Sequence, residues 1–234
     1  MIEPYLRQSA LDHLGLAGRA VEQPGDIAVR LAEKPLPAAV NLRGDAGDPA
    51  FVAAVREALG TEPPTEPNTV ATADDIALLW LGPDEWMAVQ HQAAPEAETM
   101  LAAKLRGALA NGSGEQHAAV TEVGENYACI HIAGSHARDV IVKGCPLDLH
   151  PRSFGGPTQD GRGHCAQSHL SKAPIILHQV AGTQDHGTQD DGAAFDLYVR
   201  RSFSDYLWRW LEDAAREYGL AITKAPAKAP TKAS

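Results

Sequence analysis

A chain of 234 residues, 44% of them hydrophobic, is long enough for one large core or two small ones. Its 30 acidic against 20 basic residues give a formal charge of -10, with no block of Lys and Arg able to track phosphates, which argues against nucleic acid and anionic membrane as partners. The N-terminal run MIEPYLRQSALDHLG lacks a basic region followed by an apolar one, so no secretory leader is expected, and no stretch has the length of a membrane span.

Three cysteines, Cys129, Cys145 and Cys165, are odd in number and lack CxxC spacing, which suits a reducing, cytoplasmic setting better than a disulfide-stapled secreted fold. Residues 1–25 read as an irregular lead with a short apolar segment near 11–16. Strands are expected at 27–31 and 38–42, separated by a turn at Pro35 and Pro37. Asp48 then caps a helix that Pro49 opens, where the missing N–H costs nothing. Phe51, Val52, Val55 and Leu59 give that helix a buried face, and Gly60 ends it.

The proline-rich TEPPTEPNT at 61–69 reads as a surface connection. Residues 76–80 and 86–89 form a hairpin or bent strand pair around Gly82-Pro83-Asp84. A helix over 97–110 comes next, with Met100, Leu101, Leu105 and Leu109 as its core stripe, and Asn111-Gly112-Ser113-Gly114 ends it.

The second half repeats this order. Strands at 120–123 and 127–132 flank Gly124-Glu125-Asn126, and Ser135 is a plausible cap for a helix through Val142 that turns Val140 and Ile141 inward. Gly144 terminates that helix, and strands near 165–170 and 175–180 precede a polar loop at 182–192. Residues 194–200 set Phe195, Leu197 and Val199 against Asp196, Tyr198 and Arg200, the period of a half-buried strand.

From Phe203 the period changes to that of a helix. Large apolar residues at 203, 206, 207, 210, 211, 214 and 218 share one face, with Trp210 at its centre and Trp208 at its margin. Ser202 can cap the first turn, with Asp205 completing a capping box, and Gly219 stops the helix. Strand pair, helix, strands, helix, twice over, predicts an α+β fold of duplicated sheet-and-helix units. One domain is expected over 1–220, followed by a flexible Ala/Pro/Lys tail over 221–234.

Chemistry-bearing patterns are weak throughout. Cys145, His150, His164, Cys165 and His169 are close in sequence but match no compact zinc signature. Nothing around Cys145 or Cys165 argues for a lowered thiol pKa, and neither Gly134-Ser135-His136 nor Gly112-Ser113-Gly114 is a nucleophile elbow. Gly161-Arg162-Gly163 is only half of a dinucleotide fingerprint, and Asp190-Asp191 reads as a solvated turn. No catalytic, cofactor-binding or metal-binding residue is therefore assigned. Candidate interface residues are Leu147 and Leu149, projecting beyond a helix terminus, Arg200 and Arg201 ahead of the aromatic helix, and Trp208 at its margin.

Four separated runs carry a family resemblance: LWLGPDEWMAVQ at 79–90, HIAGSHARDVIVKGCPLDLHPRSF at 131–154, HCAQSHLSKAPIILHQ at 164–179 and FDLYVRRSFSDYLWRWLEDA at 195–214. In this order, over residues 7–220, the chain resembles the gamma subunit of heterotetrameric sarcosine oxidase. The resemblance implies a complex with alpha, beta and delta subunits that oxidatively demethylates sarcosine to glycine. It further implies a holoenzyme containing FAD, FMN, NAD and zinc and using tetrahydrofolate, with flavin chemistry on beta, nucleotide- and folate-related domains on alpha, and zinc on delta. For this chain it implies a non-catalytic accessory role, no cofactor of its own, and a fold similar to the N-terminal folate-binding domain of the aminomethyltransferases. No acidic folate-clamping residue carries over by motif. The alternatives are an independent folate-dependent one-carbon-transfer protein or a standalone interaction scaffold.

Overall fold

The computed structural model describes residues 8–21, 27–35, 38–90, 96–111, 117–155, 162–181 and 193–225. A short helix α1 (Leu16–Arg19) and strand β1 (Val29–Lys34) precede two units of the same order. The first runs β2 (Ala38–Arg43), α2 (Pro49–Leu59), β3 (Thr69–Ala73), β4 (Ile76–Gly82), β5 (Glu85–Gln90), α3 (Ala97–Asn111) and β6 (Ala119–Glu122). The second runs β7 (Tyr127–Ala133), α4 (Ala137–Val142), β8 (Arg162–Leu170), β9 (Ala173–Ala181), β10 (Ala194–Arg200), α5 (Ser204–Ala215) and β11 (Leu220–Ile222).

The strands form one sheet in the order β11-β1-β7-β10-β9-β8-β3-β4-β5-β2-β6. Within the first unit the order is β3-β4-β5-β2-β6; within the second it is β8-β9-β10-β7, then β1, then β11. The duplication is thus broken at one place, where β1 is inserted between β7 and β11, and the units meet where β3 pairs antiparallel with β8. This is the α+β arrangement of repeated units that the element order predicts.

Each unit packs its two helices on one face of its strands. Phe51, Val55 and Leu59 of α2 and Leu101 and Leu105 of α3 cover Val40, Leu42, Leu78 and Trp86. Val140 and Ile141 of α4 and Leu207, Trp208 and Leu211 of α5 cover Ile130, Ile132, Phe195 and Leu197. The opposite strand faces meet in a third cluster, where Leu79, Met87 and Val89 pack with Cys129, Cys165, Ile176 and Tyr198. The result is helix, sheet, sheet, helix in layers.

Local chemistry explains the clearest element. Asp48 accepts a hydrogen bond from the Ala50 amide at 2.9 Å, Pro49 opens α2, and Gly60 ends it at φ 77°. Glycine is also required after the first strand of each unit. A side-chain carbon on Gly44 would collide with the Phe51 ring, and one on Gly134, at φ 127°, with the Ala28 carbonyl.

Several expectations are corrected. In α3 the buried stripe is Glu98, Leu101, Ala102, Leu105 and Ala108, leaving Met100 68% exposed. Ser135 does not cap α4, and Ser202 does not cap α5, which starts at Ser204 after a tight turn over Arg201–Phe203. Strand β10 is buried on both faces rather than one, because it is central in the sheet and lies between two layers.

The face of α5 also differs. Ser204, Leu207, Trp208, Leu211 and Ala215 point inward; Trp208 is fully buried and Trp210 only partly. Two overlapping stripes share Leu207 and Leu211. The one that packs has small residues at both ends, which lets the helix approach the sheet with its bulk in the middle. Finally, regular structure continues beyond residue 220: β11 pairs parallel with β1, and Ala221 and Ile222 are buried. Residues 226–234 of the expected tail and the loop 182–192 lie outside the described residues.

Candidate functional site

A polar row crosses the inner face of the second unit. Asp196 on β10 stands opposite His131 on β7 and opposite His178 on β9. Its carboxylate lies 2.7 Å from His131 Nδ1 and accepts a hydrogen bond from Lys34 Nζ at 2.7 Å, the lysine reaching over β7 from the end of β1. The Asp196 side chain has no exposed area. Chain order places these residues 162 and 65 positions apart, so only the sheet brings them together.

The groups around this row are held neutral. Burial first, and the Asp196 charge second, push the Cys129 thiol and the Tyr198 phenol well above their ordinary values. Burial pushes the Cys165 thiol up to about 12. A thiol so placed is a poor nucleophile. The carboxylate is engaged by a cation from β1 and an imidazole from β7, so the row ties β1, β7 and β10 together.

Sequence-proximal ligand candidates are separated in the same way. All three cysteines are free and buried. Cys145 Sγ lies 3.7 Å from Ser168 Oγ, whereas Cys165 Sγ lies 3.4 Å from the carbonyls of Thr69 and Trp80. His164 Nδ1 is 2.9 Å from the Gly155 carbonyl oxygen, and His150 Nδ1 accepts from the Arg152 amide at 3.2 Å. Among the described residues, no group of three or more His, Cys, Asp or Glu could hold a metal ion. Gly161 and Asp190-Asp191 fall outside those residues. A surface depression of about 560 Å³ on α2 is lined by Pro49, Val52, Arg56 and Glu62 and includes none of the polar row.

The expected interface residues divide. Leu149 and Trp208 are buried in the chain's own core instead of standing at its surface. The loop after α4 folds back because the Arg138 guanidinium lies 5.2 Å from the Phe195 ring centroid and donates to the Leu149 and Phe154 carbonyls, drawing Leu149 inward. Leu147 is partly buried against the same core. Arg200 is exposed, with its guanidinium 4.7 Å from the Tyr127 ring, and Arg201 donates to the Gln8 carbonyl at 2.9 Å.

Sequence reasoning missed the exposed apolar residues Val142 (49%), Phe203 (38%) and Tyr206 (38%). Phe203 and Tyr206 form the exposed end of the second stripe, whose Trp210, Ala214 and Tyr218 are partly buried against the core, so recognising two competing stripes would have found them. Ser171 Oγ and Tyr206 Oη are 2.6 Å apart, which fixes that ring at the surface beside the β8–β9 turn.

The model of the sarcosine oxidase, gamma subunit family matches residues 43–217. The chain is 32% identical over 214 residues to the sarcosine oxidase subunit gamma of Corynebacterium sp. strain P-1, covering 91% of this chain and 92% of that one. It is 33% identical, with the same coverage, to that of an Arthrobacter species. Among solved structures, heterotetrameric sarcosine oxidase from Corynebacterium sp. U-96 contains a chain that matches with a TM-score of 0.72 and 30% identity, covering 96% of this chain and 100% of that one. Aminomethyltransferase T of the glycine cleavage system from Bartonella henselae matches with a TM-score of 0.57 at 14% identity, over 93% of this chain and 59% of that one, and so shares the fold. On the family match and the relatives' identity over nine-tenths of its length, the chain belongs to the sarcosine oxidase gamma subunit family.

Proposed function

We propose that this chain is the accessory, non-catalytic subunit of a heterotetrameric oxidase that demethylates sarcosine to glycine, working with alpha, beta and delta subunits in the cytoplasm. The observation that carries the reading is the match, over essentially the whole of both chains, to a chain of a heterotetrameric sarcosine oxidase. Free buried thiols suit the reducing compartment. FAD, FMN, NAD, zinc and tetrahydrofolate are then the business of the partner subunits.

This chain's own residues support that division. Between its sheet layers, the side chains of Leu79, Met87, Val89, Ile176 and Tyr198 fill the space with almost no exposure, which favours an accessory role over an independent folate-dependent transferase. Leu147, Arg200 and Arg201, together with Val142, Phe203 and Tyr206, are the residues this reading offers to partners. The test is to purify the native complex, identify its chains by mass spectrometry, and compare it with the isolated subunit. Flavin absorbance and sarcosine turnover belong to the complex. Stoichiometric flavin or turnover in the correctly folded isolated chain would overturn the reading.

A further inference from the structure

We infer that the Lys34–Asp196 pair sets the register of β1, the strand inserted where the repeat would otherwise pair β7 with β11. Observed pairing places Arg30 opposite Ala133, Leu31 opposite Ile132, Ala32 opposite His131, Glu33 opposite Ile130 and Lys34 opposite Cys129. A slip of one residue is excluded by side-chain alternation, since it would turn Arg30 and Lys34 into the helix-covered core.

A slip of two residues is not excluded in that way. Val29 and Leu31 share one face, so moving the strand to place Val29 opposite Ile132 and Leu31 opposite Ile130 keeps apolar side chains on the core. It even withdraws Glu33 from its place opposite Ile130. There Glu33 is half-buried and has its carboxyl pushed upward, chiefly by loss of solvent.

What distinguishes the two registers is the inner face. Sliding by two residues carries Lys34 roughly 7 Å along the strand and away from Asp196. A carboxylate with no exposed area would then lose its cation, and leaving one member of a buried pair behind is strongly unfavourable. Arg30 cannot substitute simply. In the slipped strand it stands opposite His131, whose ring already occupies the direct line to Asp196, whereas Lys34 reaches the carboxylate diagonally from the Cys129 position. The register matters beyond β1, because Leu31 accepts from the Thr223 amide and β11 in turn accepts from Val21, so both ends of the described chain take their place from this strand.

Moving the lysine tests this directly. In full-length Ala32→Lys/Lys34→Ala the cation sits two residues earlier, and the expected result is a folded chain whose cross-strand NOEs from Leu31 shift from Ile132 to Ile130. Retention of the Leu31–Ile132 pairing in that folded variant would overturn the inference. Lys34→Met/Asp196→Asn removes the selection altogether; it should show two sets of β1 resonances, or β1 amide exchange about tenfold faster relative to β7 and β9. Should the relocation variant fail to fold, the neutral variant decides, and a single parental register with parental β1 exchange there would overturn the proposal. Arg30→Ala is expected to keep the parental register.

Discussion

Trp210 closes over Gly144 so tightly that a side-chain carbon at residue 144 would lie 2.8 Å from the indole Cζ2 and 2.9 Å from the Ser171 backbone nitrogen. The contact joins α4, α5 and the β8–β9 turn, and the Ser171 amide donates to the Gly144 carbonyl at the same point. Gly144→Ala must therefore push on a ring and on backbone at once. It is expected to destabilise the chain by about 1–3 kcal/mol, as overpacking does, measured by urea unfolding of the isolated subunit. An unchanged midpoint would mean that the turn moves freely.

Trp208, not Trp210, is the energetic centre of α5. Trp208→Ala should cost about 3–5 kcal/mol, combining lost transfer energy with a cavity, and Trp210→Ala distinctly less. The Trp208 indole N–H is buried without a hydrogen-bond partner among the described residues. Trp208→Phe thus gives up no hydrogen bond there and is expected to recover more than half of the loss. Equal unfolding free energies for the two alanine variants would contradict the assigned face.

Alkaline pH should weaken the fold through protons that burial retains. In the unfolded chain a thiol ionises near its ordinary value of 9.0, whereas Cys165 in the fold is pushed up to about 12. Its contribution is fully present below pH 9 and declines as pH rises toward 12, by up to about 1.4 kcal/mol per unit. Cys129 and Tyr198 are raised in the same direction. Cys165→Ala should flatten the fall in stability above pH 9, and a slope identical to the parent's would contradict the burial assigned to this thiol.

The exposed stripe predicts a different separation. Phe203→Ser combined with Val142→Ser should leave the unfolding free energy of the isolated chain within about 0.5 kcal/mol of the parent. Association with the other subunits should weaken by about 2 kcal/mol, the cost of losing anchor residues, read by titration calorimetry. Unchanged association would remove Val142 and Phe203 from the interface.

Truncation separates the last strand from the residues after it. Ending the chain after Gly219 removes Ala221 and Ile222 from the flank of β1 and should lower the melting temperature, whereas ending it after Ala225 should change it little. A melting temperature unaffected by the shorter truncation would show that β1 needs no neighbour on that side.

Where local chemistry decides, the sequence is readable. Asp48, Pro49 and Gly60 announce α2 because cap, first turn and stop lie within the element itself, and the turn after Gly82 announces its hairpin for the same reason. Strand β3 is not readable: TVATA is small and polar, buries only Val70, and exists as a strand because β4 and β8 supply ladders on both sides. Asp196 looks like the solvent-facing member of an alternating pair, and only the second layer of sheet makes it buried. Its partner Lys34 lies near the other end of the chain. Such a row is invisible to any window-based reading, as is the choice between the two stripes of α5.

The inserted strand ties the chain's beginning to its end in time as well as in space. Strand β1 leaves the ribosome early, yet its ladder partners are made only past the midpoint of the chain, residues 129–133, and near its end, residues 220–222. When the first unit has all of its strands, at residue 122, Val29 and Leu31 still lack the core they enter, which is built largely from residues 128–222. Closure between segments so distant in sequence is slow, so the apolar side chains of β1 wait exposed on the nascent chain until the second unit is made.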